Sequence, residues 1–167
     1  GPVSIEAQVR AEPVPGGYTA ISEYEVVFTY ANGVRQIVKT TPDDNIFGGV
    51  VKRDGQRNGL RFEGSEGWIW VNRGDLEASD EALLSTPLPE SAARLEVSND
   101  HMGNFFECVR TRRDPICHVE VGHRSASMCH LAAIALALRR KLEWDPAREQ
   151  FVGDGLAQAN ARIAREQ

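Results

Sequence analysis

The stretch that decides the fold is AISEYEVVFTYANGVRQIVKT, residues 20–40. Its first half is rich in β-branched and aromatic residues, its second half returns to that composition, and Asn32-Gly33 separates the two. An Asn-Gly pair between two such runs is a strong signal for a tight type I′ turn. The stretch therefore predicts an antiparallel hairpin with strands over residues 21–30 and 34–39.

Two other regions in the first half of the chain also predict strands. Residues 3–10 alternate apolar and polar side chains, as a half-buried strand does. Residues 60–79, LRFEGSEGWIWVNRGDLEAS, contain three short apolar segments separated by turn residues, which is typical of an antiparallel meander. The core of this meander is expected to be formed by Phe62, Trp68, Trp70 and Leu76. The polar residues 41–59 between these regions predict a long loop or flap.

Trp68 and Trp70 lie two residues apart, so they share one face of a strand. Packing in the core or at an interface is the favoured interpretation of this pair. Stacking on a sugar ring is the alternative.

The pattern changes to helical spacing after Asn99. Residues 99–114 predict a helix capped by Asn99 or Asp100 and followed by Pro115. Residues 119–142 predict a longer helix, KLEWD a short strand, and the last residues a C-terminal helix. Strands over 1–98, helices over 99–140 and a tail with a helix over 141–167 predict one α+β domain. Its expected form is a mostly antiparallel open-faced sheet with helices packed on one face.

Composition narrows the possible partners and the compartment. The net charge of −5 and a pI near 5.4 argue against a nucleic-acid-binding protein. No apolar run is long enough to cross a bilayer, so no membrane association is expected. Three cysteines cannot all pair within one chain, which favours a reducing compartment and a cytoplasmic location.

The segment with the most chemically active side chains is CHVEVGHRSASMCH, residues 117–130. Its cysteines and histidines lack the close-pair spacing of zinc ligands, so no metal site is expected. No cysteine has a base at a fixed distance, so Cys108, Cys117 and Cys129 are interpreted as packing residues. An independent metal- or cysteine-dependent enzyme is the alternative.

Within that segment, His123 and Arg124 are the candidate substrate- or anion-binding residues. They lie near the start of a predicted helix, where backbone N–H groups favour an anion, and Arg124 can clamp a carboxylate or phosphate. The favoured alternative is structural: Arg124 pairs with a carboxylate such as Glu107 or Glu120, and His123 caps or packs.

Three stretches together resemble a known family. They are YANGV at residues 30–34, the meander at residues 60–79, and NDHMGNFFECVRTRRDPICHVEVGHRSASMCHLAAIALALRRKLEWDPAREQFVGD at residues 99–154. They resemble the C-terminal domain of the Gfo/Idh/MocA oxidoreductases, whose members include glucose–fructose oxidoreductase, inositol dehydrogenase and rhizopine-catabolism proteins. The variant resembled is the bacterial type abundant in planctomycetes, and the resemblance extends from residue 1 to about residue 154.

The resemblance implies a two-domain enzyme. An N-terminal Rossmann domain binds NAD or NADP, and the C-terminal domain shapes the substrate pocket and forms a homodimer or higher oligomer through its open sheet. Hydride passes between the nicotinamide and a sugar, cyclitol or polyol carbon. A lysine in a Glu-Lys-Pro motif and a histidine upstream of the sheet assist proton transfer in the family.

The sequence departs from this pattern where the redox chemistry would lie. It contains neither G-x-G-x-x-G nor Glu-Lys-Pro, and none of its four histidines occupies the place of the family's catalytic histidine. No catalytic and no cofactor-binding residue is therefore predicted in this chain. The expected function is that of a substrate-pocket and oligomerisation domain, inactive by itself and partnered by the Rossmann domain of the full-length protein.

A second hypothesis belongs to a different class of protein. The chain would be a stand-alone, non-catalytic module that binds a carbohydrate or a protein. The loop over residues 41–59 and the face bearing Trp68 and Trp70 would then carry the function.

Overall fold

The computed structural model describes residues 1–40, 58–154 and 156–163. The chain divides into two compact units: unit 1 is Gly1–Thr40 with Val97–Gln167, and unit 2 is Thr41–Glu96. Most of the predicted loop over residues 41–59 lies outside the described residues. The expectation of a single domain over residues 1–167 stays a prediction.

In the described residues, most of the strands come before the two main helices in the chain. In chain order they are β1 (Ser4–Ala11), β2 (Glu23–Thr29), β3 (Arg35–Thr40), β4 (Leu60–Gly64), β5 (Gly67–Val71), β6 (Leu76–Ala78), α1 (Ala82–Ser85), α2 (His101–Thr111), α3 (Val119–Leu138), β7 (Leu142–Asp145), β8 (Gln150–Val152) and α4 (Leu156–Ala161). Unit 1 holds a sheet of order β3-β2-β1-β7-β8, and unit 2 holds a sheet of order β4-β5-β6. Every strand pair described is antiparallel.

The hairpin of β2 and β3 is confirmed, but the predicted turn type is wrong. Gly33 has φ +84°, whereas Asn32 is not among the residues with positive φ. The Gly33 N–H donates to the Tyr30 carbonyl at 2.9 Å, and the Tyr30 N–H donates to the Val34 carbonyl at 2.9 Å. This pattern is a type I turn closed by a glycine bulge, which needs a left-handed residue only at the glycine.

Alternate residues of the five-stranded sheet bury their side chains on one face, and α3 packs there. Ile5 pairs with Phe28 and Ala7 with Val26 across β1 and β2, and all four side chains are buried. Helix α3 contributes Leu131, Ile134, Ala135 and Leu136 to the same core. The buried faces of the strands and of α3 thus form one core. The α+β fold with an open antiparallel sheet is confirmed.

The boundaries of α2 and α3 follow from local hydrogen bonds. Asp100, one of the two predicted caps, is the N-cap of α2. Its Oδ1 accepts a hydrogen bond from the Gly103 N–H at 2.8 Å. His118 caps α3 by accepting the Glu120 N–H on Nδ1 at 3.1 Å. At the end of α3, Arg139 adopts a left-handed conformation, and its guanidinium pairs with both carboxylate oxygens of Glu12.

The second half of the chain contains more strand than predicted. The KLEWD strand is confirmed as β7, which pairs with β1, and Trp144 packs edge-to-face on Phe151 with ring centroids 5.0 Å apart. The following strand β8 was not predicted, because Gln150–Val152 has only three residues. The Asn160 side chain of α4 bonds both backbone groups of Phe151, so α4 packs on β8. The short helix α1 was also missed by the assignment of residues 1–98 to strands.

In unit 2 the predicted meander is confirmed, but the prediction of its core is largely wrong. Only Trp70 is well buried, at 3% exposed, and Trp68 is half-buried. Phe62 and Leu76 are both more than half exposed. The described residues of unit 2 form a three-stranded sheet and one four-residue helix, and these elements cover only one of the four large side chains.

The face of the five-stranded sheet opposite α3, left uncovered by the described residues, was expected to expose tryptophan and β-branched residues. It carries no tryptophan, because Trp68 and Trp70 belong to the other sheet and Trp144 packs in the core. Its apolar part is the Val27–Ile37 cross-strand pair, which joins β2 to the edge strand β3. The neighbouring positions on that face are polar or charged, namely Glu6, Gln8, Glu25 and Lys39. An interface role for Trp68 and Trp70 stays a prediction.

Candidate functional site

His123 and Arg124, the residues singled out in the sequence, lie on the second turn of α3. Their side chains converge on Glu149, a residue 25 and 26 positions further along the chain. The Glu149 Oε1 lies 2.7 Å from His123 Nε2 and accepts a hydrogen bond from Arg124 Nη1 at 2.9 Å. We call His123, Arg124 and Glu149 the α3 cluster.

Arg124 is held by three protein groups. Its Nε donates to Glu120 at 2.7 Å, and its Nη1 donates to the Pro146 carbonyl at 3.0 Å in addition to Glu149. The interpretation of Arg124 as an ion-pair partner is confirmed for Glu120. It is wrong for Glu107, which accepts from Arg110 instead. A guanidinium with two protein carboxylates has little charge left for an external anion.

Glu149 is positioned by the turn between β7 and β8. The Asp145 Oδ1 accepts from the Ala147 and Arg148 N–H groups at 2.9 and 3.1 Å, and the Glu149 N–H donates to the Asp145 carbonyl at 2.8 Å. Glu149 closes this turn with φ +54°, a left-handed conformation that is uncommon for a residue with a side chain. Non-glycine residues in this conformation often mark functional or closely packed sites.

The charges of the α3 cluster favour the ionised form of Glu149. The hydrogen bond from His123 lowers the pKa of the Glu149 carboxyl, partial burial opposes this, and the charges of His123 and Arg124 lower it further. The two backbone N–H groups of the turn likewise lower the pKa of Asp145. Both carboxyls are therefore held as carboxylates, which accept but do not donate hydrogen bonds.

We expect Glu149→Gln to make the melting temperature depend less strongly on pH in acid. Because the pKa of Glu149 is lowered in the folded chain, its contribution is present above the unfolded pKa and is lost as pH falls through the folded pKa. The variant should melt at a lower temperature than the wild type at about pH 7, and the difference should shrink as the pH falls through the lowered pKa of Glu149. Thermal unfolding followed by circular dichroism measures this.

Glu90→Gln is the control, because Glu90 is exposed and the described residues hold no ion pair with it. Its melting curve should follow the wild type at every pH. If Glu149→Gln instead kept a constant offset from the wild type as the pH fell through the lowered pKa of Glu149, the electrostatic account of the α3 cluster would be wrong.

A groove of about 800 Å³ lies beside the α3 cluster, between α3 and the β2–β3 hairpin. Arg124 and Ser125 line it at the start of α3. The rest of the wall is mainly apolar and aromatic and includes Tyr24, Phe28, Tyr30, Val38, Met128 and Ala132. The Tyr30 hydroxyl donates to Gln36 Oε1 at 2.8 Å, and partial burial raises the pKa of Tyr30.

The cysteines do not pack as predicted. All three are free thiols, Cys108 is half-buried, and Cys117 and Cys129 are exposed. The prediction of buried packing residues is therefore wrong for Cys117 and Cys129, because α3 turns the side of Cys129 away from the core residues Leu131 and Ile134. Within the described ranges, no three His, Cys, Asp or Glu side chains come together as metal ligands.

Trp68 of unit 2 is the other predicted binding residue with an accessible ring. The guanidinium carbon of Arg61 lies 4.6 Å from the Trp68 ring centroid, so one face of the indole is occupied by a cation. Trp70 is buried and offers no ring face to a ligand.

The described residues do not form a Rossmann site for a dinucleotide. A Rossmann site needs parallel strands joined by a crossover helix and a glycine-rich turn. The pairings described are antiparallel, and the sequence has no G-x-G-x-x-G. No described helix is long and apolar enough to cross a membrane.

Glu149 could not have been assigned to this site from the sequence. Asp145-Pro146 signals a turn there, but nothing in the sequence relates that turn to the second turn of α3. The arrangement joins a histidine, a paired arginine and a carboxylate next to an apolar groove. It can donate hydrogen bonds to a polar ligand and accept hydrogen bonds from it.

Comparison with known families gives one match. The family model described as the C-terminal alpha/beta domain of the oxidoreductase family, GFO_IDH_MocA_C2, matches residues 2–166. No match to the chain was found among curated proteins or among solved structures. The resemblance noted in the sequence is thus confirmed over nearly the whole chain, and membership implies that the full-length enzyme depends on NAD(P). The chain belongs to the Gfo/Idh/MocA oxidoreductase family, of which it is a C-terminal α/β domain.

Proposed function

We propose that this domain supplies substrate contacts and an oligomer interface to an NAD(P)-dependent oxidoreductase that acts on a sugar, cyclitol or polyol derivative. The observation that carries the substrate role is the α3 cluster, where half-exposed polar groups are held in place beside an apolar groove. Sites for small ligands commonly combine an apolar wall with a few fixed polar groups. The redox step itself belongs to the cofactor domain of the full-length protein.

The substrate role is tested by titrating the ¹⁵N-labelled chain with myo-inositol, with D-glucose and with NADH, and following amide chemical shifts. We expect a polyol to shift the amides around His123, Arg124 and Glu149, with a dissociation constant of about 1 mM or weaker for one domain alone. NADH should shift none of them. His123→Ala should weaken polyol binding by about tenfold, the loss of one hydrogen bond of about 1 kcal/mol or more.

His130→Ala is the matched control, because His130 is an exposed histidine two turns further along α3. It should leave polyol binding unchanged. Polyol-dependent shifts at Trp68 in place of His123 would support the stand-alone carbohydrate module instead. Tight NADH binding by this chain would contradict both functions.

The oligomer role is proposed for the uncovered face of the five-stranded sheet. Its apolar Val27–Ile37 pair lies beside side chains of both charge signs, including Glu25 and Lys39. Such a surface can complement itself across a two-fold axis, where each acidic position of one copy meets a basic position of the other. A homodimer is the expected assembly.

We expect Ile37→Glu to convert the dimer to a monomer, because it buries a carboxylate at the centre of the contact. Val34→Glu is the control: Val34 is 54% exposed and Ile37 is 52% exposed, but Val34 lies in the hairpin turn outside the face. Light scattering over a concentration series measures the mass. A wild-type chain that stays monomeric at high concentration would contradict this interface.

A further inference from the structure

We propose that Glu149 is a positioning residue that keeps the proton of His123 on Nε2, so that His123 Nδ1 accepts a hydrogen bond from a hydroxyl of a neutral polyol. The proposal rests on the proposed function in taking the α3 cluster as the substrate contact. It adds which atom makes the contact and which class of substrate that atom selects.

The hydrogen bond between His123 and Glu149 determines the tautomer. A carboxylate only accepts hydrogen bonds, so a neutral imidazole whose Nε2 lies 2.7 Å from Glu149 Oε1 carries its proton on that nitrogen. The other nitrogen, Nδ1, then has a free lone pair. A carboxylate behind a histidine ring fixes both the tautomer and the ring orientation in many sites.

Arg124 keeps Glu149 in the form that this arrangement needs. Its Nη1 donates to the same Oε1 that contacts His123, which favours the ionised carboxyl. Glu120 and the Pro146 carbonyl hold the guanidinium from the other side. The left-handed turn residue Glu149 is therefore bound to α3 through two side chains, and its carboxylate has little freedom to leave His123.

The surroundings of His123 Nδ1 indicate that its ligand donates a hydrogen bond to it. The side chain is 49% exposed, and among the described residues no hydrogen bond to Nδ1 is found. The charged groups nearest in the fold lie on α3 and on the β7–β8 turn, namely Glu120, Arg124, Asp145, Arg148 and Glu149. The acidic members of this set are paired with Arg124 or Arg148, so the preference rests on the Nδ1 lone pair: a neutral hydroxyl can donate to it, whereas an ionised carboxylate only accepts hydrogen bonds.

Long-range ¹⁵N–¹H correlation spectra of the histidine rings test the tautomer directly. In the wild-type chain the neutral His123 ring should carry its proton on Nε2 in at least about tenfold excess, as expected for a charge-assisted hydrogen bond. In Glu149→Gln the excess should fall to about threefold or less, because a glutamine amide can both donate and accept. Glu107→Gln instead removes an arginine-paired carboxylate on α2, outside the α3 cluster, and should leave the tautomer unchanged.

Titration of the same samples with myo-inositol and with inorganic phosphate tests the ligand class. Myo-inositol should shift the Nδ1 signal of the wild type and of Glu107→Gln, and should bind Glu149→Gln about tenfold more weakly. Inorganic phosphate should not shift it. A melting temperature for each variant shows whether it is folded, and if Glu149→Gln is not, the wild-type ring spectrum alone decides the tautomer.

The outcomes separate the two claims. A proton on Nδ1 in the wild type overturns the positioning role of Glu149, whatever the ligand does. A proton on Nε2 with no response of Nδ1 to myo-inositol overturns the substrate contact, and with it the proposed function of this cluster. A response to phosphate but not to myo-inositol overturns the assignment of a neutral substrate.

Discussion

Phe28→Ala is expected to lower the free energy of unfolding of unit 1 by about 3–5 kcal/mol. Phe28 is 1% exposed on β2, faces Ile5 of β1, and packs in the core under α3. The substitution removes a whole ring and leaves a cavity that the surrounding sheet cannot close. Since small domains are stable by only about 5–15 kcal/mol, the variant should lose a large part of its stability.

Phe106→Ala is the matched control, because Phe106 belongs to the same unit but is 61% exposed on α2. It should change the free energy of unfolding by about 1 kcal/mol or less. Urea denaturation followed by circular dichroism compares the two. Equal losses would mean that α2 packs on the core in solution and that the core described here is incomplete.

Gly67→Ala should have the second-largest effect, about 2–3 kcal/mol, on unit 2. Gly67 opens β5 with φ +143°, a conformation in which a Cβ is strained. A Cβ there would also overlap the Ser79 hydroxyl and approach Leu83 Cδ1 to 3.1 Å. Because Ser79 Oγ accepts the Trp68 N–H at 3.0 Å, displacing it also removes a hydrogen bond of the sheet.

The control is Gly64→Ala at the other end of the same turn, where Gly64 pairs with Gly67 across the hairpin. A Cβ on Gly64 meets only the Gly67 carbonyl oxygen, at 3.8 Å. Hydrogen–deuterium exchange of the β4 and β5 amides reports on each variant. Faster exchange in Gly67→Ala but not in Gly64→Ala is expected, and equal exchange in both would contradict the described geometry of this turn.

Regular patterns over short stretches of sequence predicted most of the fold. The alternation in residues 3–10 and 20–40 predicted β1, β2 and β3, and the helical spacing after Asn99 predicted α2 and α3. These patterns are local, because a strand or helix presents one face at a fixed period. The same locality explains the wrong turn type, since an Asn-Gly pair suits both a two-residue type I′ turn and a longer type I turn with a glycine bulge, and only the first needs a positive φ at Asn32.

Burial was harder to predict than secondary structure. Phe62 and Leu76 have the composition of core residues, yet they are exposed, and Cys129 looks like a small packing residue yet lies on the outer side of α3. Whether an apolar side chain is covered depends on which other element packs over it. The sequence of a strand contains its period but not the identity of that covering element.

The sequence by itself determined the α+β class, the hairpin, the two main helices and, through a long run of matching residues, the family. Only the tertiary structure decided that Glu149 meets His123 and Arg124. Those contacts join residues 25 and 26 positions apart, through a turn in a left-handed conformation that no local pattern signals. Secondary structure follows from neighbours along the chain, whereas a cluster of side chains from separate elements exists only once the sheet and α3 have packed together.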